Sequence, residues 1–144
     1  MGQIQLSKIY TSTLTGAGLR VSDCRKVADL LLRDPSEATW KREMRESNAL
    51  QIDSTGSRRR VARYLRARIE PLGPGLWEML RDGDRELATQ AAFAGAVKNS
   101  RLLGDFMDLV VREQIQQYAK VLEPRLWFDY VSGCRGRDPE MPMW

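Results

Sequence analysis

Residues 85–100, RELATQAAFAGAVKNS, decide the fold of this chain. In a helix, five small residues of this stretch share one face, because they recur at i, i+3, i+4, i+7 and i+8: Ala88, Ala91, Ala92, Gly95 and Ala96. A face without bulky side chains lets a neighbouring helix approach closely. The pattern therefore predicts a central helix in an all-α core.

The next stretch, residues 101–121, predicts a second central helix. Its apolar residues go most of the way round, as in a helix that is covered on several sides: Leu102, Leu103, Phe106, Met107, Leu109, Val110, Val111, Ile115 and Tyr118. We therefore expect these two helices to form the core, with the remaining helices packed outside them.

Five further helices are predicted from capping residues and helix breakers. They cover 22–33, 37–47 and 57–69, a short segment that opens at Pro74, and a segment that opens at Pro124. Ser22, Ser36 and Asp84 are predicted N-caps, and Gly83 is predicted to be a left-handed C-cap. The fold class is thus all-α, a compact multi-helix bundle of about seven helices. We expect an N-terminal arm at 1–20, the helical domain at 21–135, and a C-terminal tail at 136–144 that leads into a segment absent here.

The composition is typical of a folded protein in a reducing compartment. Of the 144 residues, 42% are hydrophobic and 29% are charged, which argues against disorder. The two cysteines, Cys24 and Cys134, lie far apart and outside any C-x-x-C pattern, which favours reduced thiols in the cytoplasm. No apolar run approaches the roughly 20 residues that span a bilayer. We therefore expect a cytoplasmic protein that does not enter the membrane.

Enzymatic chemistry finds little support in the sequence. The chain has no histidine, which removes the commonest general base and the commonest zinc ligand. Asp105, Asp108 and Glu113 have a spacing compatible with a metal-dependent nuclease, but on a charged helix this spacing is more typical of a solvated face. We therefore predict no catalytic residue, no metal, no cofactor and no small-molecule substrate.

The strongest signal for binding is the arginine-rich segment at 58–68. It holds six arginines, and no acidic residue follows until Glu70. Guanidinium groups bind phosphate oxygens bidentately and are weakly hydrated, and the preceding residues STGS at 54–57 add hydroxyl and N–H groups at a helix start. We predict phosphate contacts at Arg58, Arg59, Arg60, Arg63 and Arg66, with Ser57, Lys98 and Arg101 as weaker candidates.

A second interpretation of the same residues stays open. The arginines form a solvated face if acids of a neighbouring helix pair with them, and basic patches are common enough that the pattern alone does not decide. Lys98 and Arg101 lie where the two central helices meet, and residues in such a position more often neutralise helix C-termini.

Three segments of the chain keep the order and spacing of a known family. They are RKVADLLL at 25–32, NALQ at 48–51 leading into Thr55 and the arginine segment, and the stretch from Lys98 through RLL at 101–103 to Asp105 and Phe106. From about Tyr10 to its end, the chain resembles BrxA, a small component of BREX bacteriophage-defence systems. The resemblance implies a NusB-like all-α fold and non-enzymatic binding of double-stranded DNA. Family members usually continue beyond the point that matches Trp144, into a further helical segment.

The residues and the resemblance together predict a non-enzymatic subunit that binds double-stranded DNA, with other BREX proteins as further partners. Binding is expected to be mostly independent of sequence and strongly dependent on salt. The alternative is a protein–protein adaptor without direct DNA contact, in which the arginines meet an acidic partner and the apolar residues MPMW at 141–144 dock. RNA binding is a weaker possibility, since it rests on the NusB-like fold alone.

Overall fold

The computed structural model describes residues 18–141 of the chain. Its regular elements are all helical: α1 Val21–Leu32, α2 Glu37–Lys41, α3 Thr55–Ile69, α4 Pro74–Asp82, α5 Arg85–Asn99, α6 Arg101–Phe106, α7 Arg112–Gln116 and α8 Pro124–Arg137. A π-helical turn, Arg42–Glu46, continues α2, and a second one, Met107–Val111, joins α6 to α7. Counted as continuous helices, residues 18–141 hold seven. The prediction of an all-α fold with about seven helices is confirmed.

The chain divides into two compact units at Ser100. Among the described residues, one unit is formed by 18–99 and the other by 100–141. The predicted arm at 1–20 and tail at 136–144 lie partly outside the described residues, and the bounds of the helical domain at 21–135 stay a prediction. None of the helices between residues 18 and 141 is long and apolar enough to cross a membrane.

The core of the unit 18–99 forms where α1, α3, α4 and α5 pack together. On α5 the predicted small-residue face is buried in full: Ala88, Ala91, Ala92, Gly95 and Ala96. A Cβ atom added to Gly95 would lie 2.8 Å from the carbonyl oxygen of Arg68 on α3. The backbones of α3 and α5 therefore touch at this point, and the prediction of a central helix at 85–100 is confirmed.

Two cationic side chains of α1 donate hydrogen bonds to carbonyl oxygens at the ends of neighbouring segments in this unit. The guanidinium group of Arg25 donates to the carbonyl oxygens of Arg81 and Gly83, at 3.2 and 2.8 Å. The ammonium group of Lys26 donates to the carbonyl oxygen of Ala49 at 3.1 Å. These contacts satisfy carbonyl groups that helix ends and loops leave without a backbone donor.

The unit 100–141 has a smaller core. Its buried members are Leu102, Val131, Cys134 and Met141. The ring of Phe106 meets that of Trp127 edge to face, with 5.0 Å between ring centroids, and the ring of Tyr130 lies 5.6 Å away. Aromatic contacts thus supply much of the packing between α6 and α8.

The helix at 101–116 is partly covered on several sides only in its first half, where residues 102–107 are buried or half-buried, and the prediction is wrong for its second half. Leu102 and Val111 are buried, but Leu109 is 59% exposed, Ile115 is 67% exposed and Tyr118 is 91% exposed. The physical reason is that, beyond residue 107, only one stripe of this helix is buried or half-buried, at Val110, Val111 and Gln114. Apolar residues all round a helix permit burial on several sides but do not enforce it.

This helix also ends earlier than predicted, at Gln116 rather than at Val121. Tyr118 adopts a left-handed backbone conformation with φ 58°. Its N–H group donates to the carbonyl oxygen of Ile115, and that of Ala119 donates to Gln114, both at 3.0 Å. This is the Schellman arrangement of a helix C-terminus, here with a tyrosine where glycine is usual.

Two of the predicted N-caps are confirmed. The Ser36 hydroxyl accepts a hydrogen bond from the Thr39 N–H group at 3.1 Å. The Asp84 carboxylate accepts one from the Leu87 N–H group at 2.8 Å. Each satisfies an N–H group that the first helical turn leaves free.

The other two predicted caps are wrong. α1 begins at Val21, so Ser22 lies inside the helix, and the N-cap is Arg20 in a left-handed conformation. Gly83 is extended, with φ −67° and ψ 160°, rather than left-handed. Glycine is needed there for space, because a Cβ atom would lie 2.4 Å from the carbonyl oxygen of Met79.

Candidate nucleic-acid interface

The arginine-rich segment forms α3, which begins two residues before the predicted start. The hydroxyl of Ser54 caps this helix and accepts from the N–H group of Ser57 at 3.4 Å. The N–H group that sequence analysis offered to a phosphate therefore already has an acceptor in the protein. Ser57 itself is half-buried and stays a weaker candidate.

The buried face of α3 fixes the direction of its arginines. Val61, Leu65 and Ile69 are buried in the core at helical spacing. Ala62 and Arg68 are buried on the same side of the helix, and the opposite side faces away from the core. Arg59, Arg60 and Arg63 are accordingly exposed.

Arg58 is fastened to the backbone of the preceding loop. Its guanidinium group donates to the carbonyl oxygens of Ile52, Arg45 (3.3 Å) and Asp53 (3.0 Å). With three acceptors inside the protein, this side chain holds the loop against α3. A role in phosphate contact stays a prediction for it.

Arg66 is held by two carboxylates and one aromatic ring. Two of its nitrogens bind the Glu37 carboxylate at 2.9 and 3.3 Å, and Nε binds Glu70 at 2.6 Å. The guanidinium carbon lies over the Trp40 ring, 4.5 Å from its centroid. Burial acts against the charged form, but the hydrogen bonds to Glu70 and Glu37 outweigh it and raise the pKa of Arg66 above its usual value.

Three arginines of α3 have no such partner. In the described part of the chain, no carboxylate forms an ion pair with Arg59, Arg60 or Arg63. Arg63 lies over the ring of its neighbour Tyr64, 5.5 Å from the centroid. Their positive charge is therefore available to an anion from outside the protein.

A groove of about 650 Å³ lies between α3 and the helix formed by α2 and its π-helical turn. The apolar part of its lining comprises Trp40, Met44, Ala62, Ala67 and Pro71. The charged part comprises five cations and two carboxylates: Lys41, Arg45, Arg59, Arg63 and Arg66, with Glu37 and Glu70. Both carboxylates bind Arg66, so the rim of this groove carries an excess of positive charge.

Two members of this rim, Lys41 and Arg45, were not among the residues predicted from the sequence. They stand four residues apart, a spacing that places two side chains on the same side of a helix. The signal was therefore present in the sequence. The sequence does not show, however, that this side of the helix formed by α2 and its π-helical turn faces α3.

The two remaining cationic candidates have contacts of their own. The Lys98 ammonium group donates to the carbonyl oxygen of Pro71 at 3.1 Å and is not part of the groove lining. Arg101, in the other unit, has its Nε 3.7 Å from the Asp105 carboxylate. The Lys98 contact, to a carbonyl group just beyond the end of α3, agrees with the second interpretation, whereas Arg101 pairs with a carboxylate of its own helix. A phosphate contact stays a prediction for both.

The acidic residues considered for a nuclease lie on α6, α7 and the turn between them. Asp108 forms an ion pair with Arg112 at 2.9 Å. Between residues 18 and 141, no three His, Cys, Asp or Glu side chains are grouped closely enough to hold a metal ion. The described geometry therefore offers nothing that supports metal-dependent cleavage.

Comparison with known proteins places the chain among relatives. A family model described as BrxA matches residues 8–144. The BREX protein BrxA of Paramagnetospirillum magneticum (strain ATCC 700264 / AMB-1) is 42% identical over 135 residues, which are 94% of this chain and 68% of that protein. The BREX protein BrxA of Escherichia coli O9:H4 (strain HS) is 29% identical over 129 residues, which are 90% of this chain and 61% of that protein. The chain thus spans about two thirds of the length of these relatives.

A solved structure supports the same relationship. The crystal structure of an uncharacterized protein from Magnetospirillum magneticum superposes with a TM-score of 0.79 at 40% sequence identity. The match covers 92% of this chain and 70% of that one. Because the family model matches residues 8–144, nearly all of this chain, the chain belongs to the BrxA family.

Proposed function

We propose that this chain is a non-enzymatic component of a BREX phage-defence system that binds double-stranded DNA through the phosphate backbone. One observation carries the proposal: Arg59, Arg60 and Arg63 are exposed on α3 and have no ion-pair partner among the described residues. Lys41 and Arg45 extend the positive surface across the groove. The assignment to phage defence rests on membership of the family.

The chemistry of these side chains favours phosphate over other ligands. Three guanidinium groups on two turns of one helix repel one another, and an anion relieves that repulsion. Phosphates of a duplex present a regular line of negative charge, and contacts to them carry no sequence information. We therefore expect binding that is nearly independent of sequence and weakens steeply with salt.

Arg58 and Arg66 have a supporting role in this proposal. The donors of Arg58 are held by backbone carbonyls, and those of Arg66 are held by Glu37 and Glu70. They fix the loop and the groove wall beside the exposed arginines. The proposal therefore places the main phosphate contacts at Arg59, Arg60 and Arg63, which form no ion pair among the described residues.

A salt titration of a labelled duplex tests the proposal. The triple variant Arg59→Ala/Arg60→Ala/Arg63→Ala is compared with Arg81→Ala/Arg112→Ala/Arg125→Ala, which removes the same charge from exposed arginines that form ion pairs with Asp82, Asp108 and Asp129. The slope of log K against log salt is negative, and each lost phosphate contact reduces its magnitude by about 0.9. Loss of three contacts in the first variant should therefore reduce the magnitude of the slope by about 2.7. The control should keep the wild-type slope. An equal loss in both variants would show that only the net charge matters and would remove α3 from the account.

A second candidate is the protein–protein adaptor without direct DNA contact. It is favoured by large apolar side chains that the unit 100–141 exposes: Leu109, Ile115 and Phe128 are 59%, 67% and 67% exposed. These side chains do not belong to the docking site predicted at 141–144. Of that site, Met141 is buried and 142–144 lie outside the described residues. An adaptor would co-purify with other BREX proteins and leave a duplex unshifted.

Structured RNA and single-stranded DNA, used as competitors in the same duplex titration, show whether the chain prefers either of them to double-stranded DNA.

A further inference from the structure

We propose that the groove between α3 and α2 receives one unpaired nucleotide, with its base against the flat face of Arg66 and its phosphate at the cationic rim. This inference deepens the DNA-binding function proposed above and rests on it. A duplex backbone that touches only the rim would leave the exposed Ala67 and the partly exposed guanidinium plane of Arg66 in the groove without contact. A nucleotide combines a flat, largely apolar ring with a negative group, and so matches both parts of the groove.

Arg66 has the properties of a platform for stacking. Its nitrogens bind Glu37 and Glu70, and the Trp40 ring lies on one side of its guanidinium carbon. The side chain is nevertheless 23% exposed and lines the groove. What remains for a ligand is the opposite face of the guanidinium plane, and such planes stack on unpaired bases. The two carboxylates and the ring hold this plane in place before a ligand arrives.

The rest of the groove fits the other parts of a nucleotide. Its volume of about 650 Å³ lies within the range of small-ligand sites, about 300–1,000 Å³. Arg59 and Arg63 on one wall and Lys41 and Arg45 on the other supply cations for a phosphate. A π-helical turn, a feature that recurs at functional sites, forms part of the second wall.

An acidic peptide is the other polyanion that could use this rim. Its carboxylates would pair with the cations of the groove. They would not stack on the guanidinium plane of Arg66, which Glu37, Glu70 and Trp40 hold in place. An apolar floor only about as large as a small-ligand site also offers little area to a helix. The nucleotide therefore accounts for more of the observed geometry.

The test compares a blunt duplex with the same duplex carrying one unpaired terminal nucleotide. Stacking of one base on protein typically strengthens binding by about tenfold, so the wild type should prefer the overhang by that factor. Arg66→Lys keeps the charge but removes the plane, and Ala67→Leu fills the groove at an exposed position. Both should bring the affinity ratio close to one. The matched control Ala94→Leu, at an exposed alanine of α5 outside the groove, should keep the wild-type ratio.

Two further readouts separate this inference from the proposed function. An unpaired terminal 5-iodouracil should crosslink to residues within 40–67, mapped by peptide mass spectrometry. Calorimetric titration with free dAMP tests the groove without any duplex, and Arg66→Lys should weaken its binding.

Each outcome has a defined meaning. If blunt and overhanging duplexes bind equally well, or the crosslink maps elsewhere, the groove proposal is overturned while duplex binding stands. If no duplex binds but dAMP does so in an Arg66-dependent way, the groove proposal survives and the proposed function fails. If polyglutamate displaces dAMP as effectively as a second nucleotide does, the groove recognises charge alone and the base site is overturned.

Discussion

Two consecutive helices of this chain, α5 and the helix formed by α6, its π-helical turn and α7, differ in how side-chain size relates to burial. α5 carries mostly small residues on its inner face, and that face is buried to the backbone, as Gly95 against Arg68 shows. The following helix carries large apolar residues nearly all round, yet Leu109 and Ile115 remain mostly exposed. A face without bulk thus indicates a close helix contact more reliably than bulk indicates burial.

The largest expected effect contrasts two leucines of the second helix. Leu102 is 1% exposed and Leu109 is 59% exposed. Leu102→Ala should lower the free energy of unfolding by about 2–5 kcal/mol, because it leaves a cavity beside Trp127. Leu109→Ala should change it by less than about 0.5 kcal/mol. Urea titration followed by tryptophan fluorescence measures both, and equal costs would mean that Leu109 is covered after all.

The second effect tests the close contact on α5. Gly95→Ala places a Cβ atom 2.8 Å from the Arg68 carbonyl oxygen, so the helices must move apart. We expect a loss of about 1–3 kcal/mol in the free energy of unfolding, despite the better helix propensity of alanine.

Gly75→Ala on α4 is the control for this substitution, because a Cβ atom there meets nothing within 4 Å. This change should be neutral or stabilise by up to about 1 kcal/mol in the same chemical unfolding experiment. A Gly95→Ala protein as stable as wild type would show that α3 and α5 can separate freely.

The smallest effect concerns the end of the second helix. Tyr118 is 91% exposed and left-handed, a conformation that costs non-glycine residues about 1 kcal/mol or more. Tyr118→Gly should therefore raise the free energy of unfolding by about 1 kcal/mol, seen as a slightly higher thermal midpoint. Gln116→Gly, two residues earlier and helical, should lower the free energy of unfolding by about 0.5–1 kcal/mol and with it the midpoint. Destabilisation by both would argue that the helix continues past Gln116 in solution.

Local chemistry made much of the fold predictable. The face of α5 followed from the spacing of four alanines and Gly95, and Ser36 and Asp84 cap helices as their positions indicated. Two errors, at the start of α1 and at the end of the second helix, arose where an unexpected residue adopts a left-handed conformation. Arg20 and Tyr118 do so, and neither residue type signals it.

The candidate site was predictable only in part, for a reason that lies in sequence distance. The exposed face of α3 follows from helical spacing, so Arg59 and Arg63 could be identified from the chain alone. The partner of Arg66, Glu37, lies 29 residues away, and one acceptor of Arg58 lies 13 residues away. Contacts across such separations depend on how helices pack, which local patterns do not contain.

Hydrogen bonds from cationic side chains to backbone carbonyl oxygens have a practical consequence for the purification of this protein. The hydrogen bonds of Arg25 to Gly83 and of Arg58 to Ile52 and Arg45 are partly buried, and dissolved ions screen such contacts much less than they screen exposed charges. A concentrated salt wash during purification should therefore strip adhering polyanions from the exposed arginines without loosening the helices. Absorbance at 260 nm and circular dichroism, followed together through the wash, would show the two properties separate.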